Sequence, residues 1–230
     1  MLFRSVAGGG GALAYNVGPE SDEGSFVITG GANPGTVSFD HIEAVGPISG
    51  VSSATIVATN GDDDITIVAR DSSTHAGTNG IQDFTVSVNN GPDLLFIDTP
   101  TLNVDALNGD DDIVVRVVAP NLAAWGVTVN ANGGEPAASD TLIVEASSGA
   151  DVIGYNVSSG TIGSGTITVN SPAATINFTT IEHAVIDGQG GSDALTVTTP
   201  VGADSVTYTP GAASDSGTIE IGRASCRERV

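Results

Sequence analysis

One short pattern of polar and apolar positions recurs along the chain. A small residue is followed by any residue, an aspartate, any residue, an aliphatic residue, any residue, and an aliphatic or aromatic residue. After each aspartate the apolar side chains alternate, which is the period of a half-buried strand, and the small residue before it suits a turn. The pattern predicts a turn followed by a strand in seven segments: 61–67, 91–97, 109–115, 138–144, 149–155, 191–197 and 202–208.

Further alternating segments lie between these phrases. None has the 3.6-residue period and the capping residues of a helix, and the 31 glycines and 10 prolines supply the turns that many short strands need. The chain is therefore predicted to be all-β. The additional predicted strand segments are 26–28, 55–57, 84–88, 127–129, 166–169 and 184–186.

A longer repeat contains these phrases. The segment 36–43 (TVSFDHIE) returns as 175–182 (TINFTTIE), and 60–65 (NGDDDI) returns 48 residues later as 108–113. Tyr15, Tyr155 and Tyr208 recur in the same register. A degenerate unit of about 47 to 53 residues accounts for these offsets. The repeat predicts equivalent positions in space for its copies, with the tyrosines packed in the core or between coils.

Two all-β architectures fit this repeat. One coil of a parallel β-solenoid, such as a β-helix or β-roll, takes a little more than ~20 residues. One repeat unit would therefore contain two coils and an insertion. This arithmetic favours the solenoid. The phrases begin at uneven intervals of 30, 18, 29, 11, 42 and 11 residues, which tandem β-sandwich modules would tolerate better. Sandwich modules therefore remain the alternative.

The two ends of the chain resemble translated sequencing adapters. Residues 221–230 (IGRASCRERV) correspond to one adapter read through in a single frame, and 1–5 (MLFRS) resemble the end of the other. We therefore expect 1–5 and 220–230 to be scars without packing partners. Residues 6–219 are then the degenerate β repeats, as a fragment of a larger protein.

The net charge of the chain limits its possible partners. Outside the predicted scars only Arg70 and Arg116 are basic, against 25 acidic residues (27 minus Glu220 and Glu228), which gives a net charge near −23. Such a chain repels phosphates, so nucleic acid is excluded as a partner. The sequence has no run of about eighteen apolar residues, so it predicts no membrane insertion.

The segment 181–197 (IEHAVIDGQGGSDALTV) resembles haemolysin-type, or RTX-like, calcium-binding repeats. Gly188, Gly191, Asp193 and Leu195 match that phrase, while Gln189 replaces its second glycine. The resemblance implies a parallel β-roll in which stacked turns hold Ca²⁺ between aspartates and glycine carbonyls. Elsewhere only the half-phrase glycine, any residue, aspartate survives, a dilution that suits large repetitive, adhesin-like bacterial surface proteins.

Clustered aspartates make calcium the candidate cofactor, because Ca²⁺ takes six to eight oxygen ligands. Aspartates that only cap turns by accepting backbone N–H groups are the alternative interpretation. Self-repulsion within the two triple-aspartate clusters keeps the calcium interpretation open. The candidate metal-binding residues are Asp62, Asp63, Asp64, Asp110, Asp111, Asp112, Asp151, Gly188, Gly191 and Asp193.

The sequence favours a non-enzymatic role. Its three histidines lie far apart and outside any catalytic motif. We expect a structural or adhesive repeat segment of a large secreted or cell-surface bacterial protein, with neighbouring repeats of the same parent chain and cell-surface glycans as partners. The alternative is a polysaccharide-binding or polysaccharide-lyase-like β-helix, in which Arg70 or Arg116 would act beside calcium.

Overall fold

A computed structural model describes the chain except for residues 1, 4–5, 8, 71–81, 120–124, 136–138, 160, 171–172, 201–203, 214 and 224–230. The described part is all-β and contains no helix, which confirms the predicted class. Each of the seven phrases leads into a strand that begins at its aspartate or one residue later: β9 (Asp64–Arg70), β11 (Leu94–Ile97), β13 (Asp112–Arg116), β15 (Thr141–Glu145), β16 (Val152–Val157), β20 (Ala194–Thr198) and β21 (Asp204–Pro210).

Most strands belong to two large mixed sheets. Sheet I has eight strands in the order β19-β15-β13-β9-β10-β11-β7-β2, and sheet II has ten in the order β20-β16-β17-β18-β14-β12-β8-β3-β4-β5. The remaining strands of sheet I are β2 (Val6–Ala7), β7 (Ile48–Ser49), β10 (Asp83–Val88) and β19 (His183–Asp187). Those of sheet II are β3 (Ala12–Val17), β4 (Gly24–Thr29), β5 (Gly35–Phe39), β8 (Ser53–Val57), β12 (Thr101–Asp105), β14 (Thr128–Asn132), β17 (Gly165–Asn170) and β18 (Ala173–Thr179).

The chain passes back and forth between the two sheets, and strands from successive passes pair in parallel. Strand β13 lies between β9 and β15, with Ile113 opposite Ile65 on one side and Leu142 on the other. In sheet II the parallel series runs β3, β8, β12, β14 and β18. Equivalent phrases of the repeat thus become neighbouring strands, as the 48-residue offset predicts.

Antiparallel meanders interrupt the parallel series. They are formed by β3–β5, β9–β11 and β16–β18. The first and third are the two copies of the longest repeat. Tyr15 stacks on Phe39 with ring centroids 6.1 Å apart, and Tyr155 stacks on Phe178 at 5.6 Å. Because a meander lengthens only the pass that contains it, the phrases are unevenly spaced along the sequence.

The inner faces of both sheets contribute to one hydrophobic cluster. Alternate residues of the parallel strands are buried, as in Leu102 and Val104 of β12 and Ile113 and Val115 of β13. Trp125 is also buried there, and its indole N–H donates to the main-chain oxygen of Asp83 at 3.0 Å. Short aliphatic side chains alternating with polar ones thus bring the two sheets together by burial of apolar surface.

Two small sheets stand apart from the large ones. One pairs β1 (Leu2–Phe3) with β6 (Ala44–Val45), and the other pairs β21 with β22 (Gly217–Arg223). Both include residues that the sequence analysis expects to lack partners. That expectation is wrong for Leu2–Phe3 and for 220–223, because backbone groups of any sequence can extend a neighbouring strand.

Candidate functional site

Acidic residues stand directly before the parallel strands of sheet I and form a row that we call the aspartate ladder. Its members are Asp63 before β9, Asp111 before β13, Asp140 before β15, and Glu182 before β19. The three aspartates are 1%, 0% and 0% exposed. A carboxylate so deeply buried needs partners for its oxygens, and the neighbouring turns provide them.

Each ladder carboxylate after that of Asp63 accepts a backbone hydrogen bond from the preceding member. The N–H of Asp63 donates to Asp111 Oδ1 at 2.8 Å, and the N–H of Asp111 donates to Asp140 Oδ1 at 3.0 Å. The N–H of Asp140 donates to Glu182 Oε2 at 3.1 Å. These bonds join turns that are 48, 29 and 42 residues apart in sequence. The acidic residues therefore connect successive passes of the chain, a role beyond capping their own turns.

The same arrangement occurs once at the edge of sheet II. The N–H of Asp151 donates to Asp193 Oδ1 at 2.9 Å, which joins the turn before β16 to the turn before β20. Gly188 lies against this second turn, since a Cβ added to it would be 2.3 Å from Asp193 Oδ2. The segment that resembles RTX-like repeats thus supplies the last step of a short second ladder.

Two of the buried aspartates also cap their own turn. Asp63 Oδ2 accepts the N–H and the hydroxyl of Thr59, at 2.9 and 2.8 Å. Asp151 Oδ2 accepts the N–H and the hydroxyl of Ser147, at 3.0 and 2.8 Å. In both turns the donor lies four residues before the aspartate. This geometry matches the turn-capping interpretation of the aspartates.

The other two ladder aspartates lack this cap. Leu107 stands four residues before Asp111, carries no hydroxyl and has a positive φ of 75°. Pro136 stands four residues before Asp140 and has neither an N–H nor a hydroxyl. Accordingly, the Oδ2 atoms of Asp111 and Asp140 are buried without a hydrogen-bond partner among the described residues.

Burial dominates the ionisation of these two carboxyl groups. It raises the pKa of Asp111 from an ordinary value of 3.8 to about 7, with the charges of Asp63, Asp140 and Asp62 adding to the increase. The hydrogen bond from the Asp63 N–H opposes that increase. Burial also raises the pKa of Asp140. Burial therefore shifts both carboxyl groups at the centre of the ladder towards the neutral form.

The triple-aspartate clusters are divided between inside and outside. Asp62, Asp64, Asp110 and Asp112 are exposed, while the middle aspartate of each cluster is buried in the ladder. The exposed residues also bond across turns: the N–H of Asp110 donates to Asp62 Oδ1 at 3.0 Å, and the hydroxyl of Ser139 donates to Asp110 Oδ1. Within each cluster, the middle carboxylate therefore lies in the protein interior and the two flanking carboxylates lie at the surface.

Glycines permit the close stacking of these turns. Gly109 has a φ of 143°, and a Cβ there would lie 2.6 Å from the carbonyl oxygen of Gly61 in the adjacent turn. Gly191 has a φ of 108°, and its Cβ would lie 2.1 Å from the carbonyl oxygen of Gly149. Only glycine combines this backbone conformation with this approach.

The proposed calcium ligands do not come together in one place. Six of them lie in the turns before β9 and β13 or at the first residue of these strands, and Asp151, Gly188, Gly191 and Asp193 lie at the edge of sheet II. Within the described residues, no group of three or more histidine, cysteine, aspartate or glutamate side chains is placed to hold a metal ion. Calcium binding at these residues therefore stays a prediction.

A second polar feature covers the outer face of sheet II, and the sequence analysis missed it. The amide of Asn130 donates to Asn103 Oδ1, and that of Asn177 donates to Asn130 Oδ1, both at 2.9 Å. We call this row, with the flanking residues of β12, β14 and β18, the asparagine face. It includes a shallow concavity of about 470 Å³. The sequence signal that could have revealed this row is the recurrence of asparagine in the segments TLNVD (101–105), TVNAN (128–132) and TINFT (175–179).

The residues of the enzymatic alternative have structural partners. Arg70 Nε donates to Thr85 Oγ1 at 3.0 Å, and Arg116 Nε donates to Glu145 Oε2 at 2.8 Å. His41 is exposed and pairs with Asp40, His183 is exposed, and His75 lies outside the described residues.

In the part of the chain that the structure describes, no helix is long and apolar enough to span a membrane. Comparisons with protein-family models, with curated proteins and with solved structures found no match.

Proposed function

We propose that this chain is a non-catalytic structural repeat segment of a large secreted or cell-surface bacterial protein, and that it folds as a parallel β-solenoid. The observation that carries the proposal is the aspartate ladder. Equivalent residues of successive passes donate and accept the same backbone-to-carboxylate bond, from Asp63 through Asp111 and Asp140 to Glu182. Repetition of one contact between nearest neighbours is the organisation of a solenoid.

The use of the acidic residues supports a structural role. In four of the seven phrases the aspartate is buried, as Asp63, Asp111, Asp140 and Asp151, where a substrate would not meet it. The exposed acids contribute to the net charge of −21 of the chain, and this charge keeps long repetitive chains apart in solution. Neighbouring repeats of the parent chain are the first partners we propose.

A second candidate function is polysaccharide binding, and the asparagine face favours it. The amides of Asn130 and Asn177 each use one N–H for the next asparagine of the row, which leaves the second N–H of each for a ligand, whereas Asn103 donates to Thr55 Oγ1 and to the main-chain oxygen of Ala54. Strands lie about 4.8 Å apart, so the face presents such groups at regular intervals along the sheet. Cell-surface glycans, with many hydroxyl groups, are the ligand class that we propose for it.

One experiment separates these functions. The purified chain is incubated with neutral and acidic polysaccharides, with product formation followed by reducing ends and ultraviolet absorbance, and binding followed by affinity electrophoresis. A structural segment leaves the polysaccharides intact and migrates unchanged. Retardation that Asn130→Ala abolishes, with Asn156→Ala at an exposed position of β16 as the control, would establish the glycan-binding function instead. Cleavage of any polysaccharide would refute the non-catalytic proposal.

A further inference from the structure

The chain contains three hairpins with one design, in which a tyrosine lies opposite an apolar residue and a glycine stands two residues before that residue. The tyrosine and the glycine belong to neighbouring strands. In the first hairpin the tyrosine ring packs beside the glycine, since a Cβ added to Gly24 would lie 2.8 Å from the ring of Tyr15. In the third hairpin, a Cβ added to Gly217 would lie 2.4 Å from the ring of Tyr208. The three sets are Tyr15, Phe26 and Gly24; Tyr155, Ile167 and Gly165; and Tyr208, Ile219 and Gly217.

In the first two hairpins a third strand completes the arrangement. Strand β5 pairs antiparallel with β4 and places Phe39 opposite Gly24, and β18 pairs with β17 and places Phe178 opposite Gly165. The phenylalanine ring occupies the space that the missing side chain leaves, since a Cβ at Gly165 would be 2.7 Å from the Phe178 ring. In both cases the ring stacks on the tyrosine.

The third hairpin is open at this edge. Strand β22 pairs only with β21 in the described part of the chain. Tyr208 is 60% exposed, whereas Tyr15 is 3% exposed, and Val206 and Ile219 are exposed as well. The expectation of a packed tyrosine is therefore wrong for Tyr208. An apolar strand edge of this kind is a site for pairing with another strand.

We propose that the free edge of β22 accepts a further strand with the sequence aliphatic residue, any residue, phenylalanine. The strand would run antiparallel to β22, with its phenylalanine opposite Gly217 and its aliphatic residue opposite Ile219. This is the register in which Ile176 and Phe178 lie opposite Ile167 and Gly165. The inference rests on the proposed function, since the strand would come from a neighbouring repeat. Main-chain bonds would hold it, and the slot above Gly217 would select phenylalanine.

A peptide titration tests this pairing. The probe is a synthetic peptide with the sequence of Ala173–Glu182 (AATINFTTIE), added to the ¹⁵N-labelled full chain and followed by NMR. We expect shifts confined to β21 and β22, at least about tenfold weaker binding when the peptide's phenylalanine is alanine, and similar loss in the Tyr208→Ala and Gly217→Val chains. A tenfold change corresponds to about 1.4 kcal/mol. Ile162→Ala, at an exposed position away from the hairpin, is the matched control and should bind normally.

Three results would overturn the proposal: no binding to the parent chain, equal binding of the alanine peptide, or shifts centred on β17 and β18. The spectra of both hairpin variants report on folding, because resonances of the large sheets should not move. If the chain leaves polysaccharides intact and unfolds cooperatively but does not bind the peptide, the result contradicts this inference and leaves the proposed function standing. Cleavage of a polysaccharide with normal peptide binding would contradict only the proposed function.

Discussion

Replacement of Asp111 by asparagine should make the free energy of unfolding less dependent on pH. Asparagine keeps the carbonyl oxygen that accepts the Asp63 N–H, and it brings an NH₂ group to the position of the buried Oδ2 atom that lacks a partner among the described residues. The substitution therefore preserves shape and the inter-turn bond while it eliminates a buried ionisable group. Its effect on stability must change with pH, because only the parent chain can take up a proton there.

The sign follows from the raised pKa. Asp111 binds a proton more tightly in the folded chain, at about 7, than in the unfolded chain, near 3.8. Its contribution to stability is thus fully present below the unfolded value and is lost as pH rises through the folded value. At 1.36 kcal/mol per pH unit the whole difference is about 4 kcal/mol, and about 2.5 kcal/mol of it falls between about pH 8 and about pH 5. These are upper limits, because exposed Asp62 and Asp110 keep water close to the turn.

Urea unfolding at several pH values measures this contribution of Asp111 to the free energy of unfolding. The parent chain should gain stability from about pH 8 to about pH 5, and Asp111→Asn should gain up to about 2.5 kcal/mol less. Asp64→Asn is the matched control, since it removes a negative charge from an exposed position at the start of β9 and its charge is not among those that raise the pKa of Asp111. Parallel pH profiles for the parent and Asp111→Asn would refute a neutral carboxyl group in the ladder.

The remaining predictions concern the turns. Gly109→Ala should lower the free energy of unfolding by about 1–3 kcal/mol through backbone strain. Gly61→Ala, whose added Cβ would meet only Thr59 Oγ1 at an ordinary contact distance of 3.8 Å, should stay within about 0.5 kcal/mol; equal urea midpoints for the two variants would contradict the stacked-turn geometry. Thr59→Val and Ser147→Ala should each cost about 1 kcal/mol because a carboxylate loses a hydroxyl donor, and unchanged melting would argue against the caps. Calcium should raise the melting temperature more than magnesium or sodium chloride at matched ionic strength, which control for screening; equal shifts in the three salts, or a calcium increment that Asp193→Asn leaves unchanged, would refute the calcium site.

Local sequence patterns predicted the strands well, because alternation and the glycine-aspartate turn act within a few residues. Every phrase begins a strand at the expected place. The partner of each buried aspartate could not be predicted in the same way. The bond from Asp63 to Asp111 spans 48 residues and the next spans 29, so a local cap and a link between turns look identical in sequence. For the same reason Asp140 and Glu182 were missed as members of the site.

The meanders and the asparagine face were difficult to predict from the sequence for a different reason. An antiparallel excursion such as β9–β11 uses the same alternating pattern as a parallel strand, so the pattern alone does not distinguish the two directions. Asn103, Asn130 and Asn177 were separated by 27 and 47 residues. Their alignment depends on parallel register, which only the assembled sheet supplies.

The unequal steps of the ladder have an evolutionary consequence. Successive members are 48, 29 and 42 residues apart, yet each makes the same bond to the next. The contact that aligns neighbouring turns is thus indifferent to the length of chain between them. Segments can be gained, lost or exchanged between two ladder positions without a change in the register of the strands that follow. A gene built this way can acquire new surface features by insertion while its scaffold remains intact.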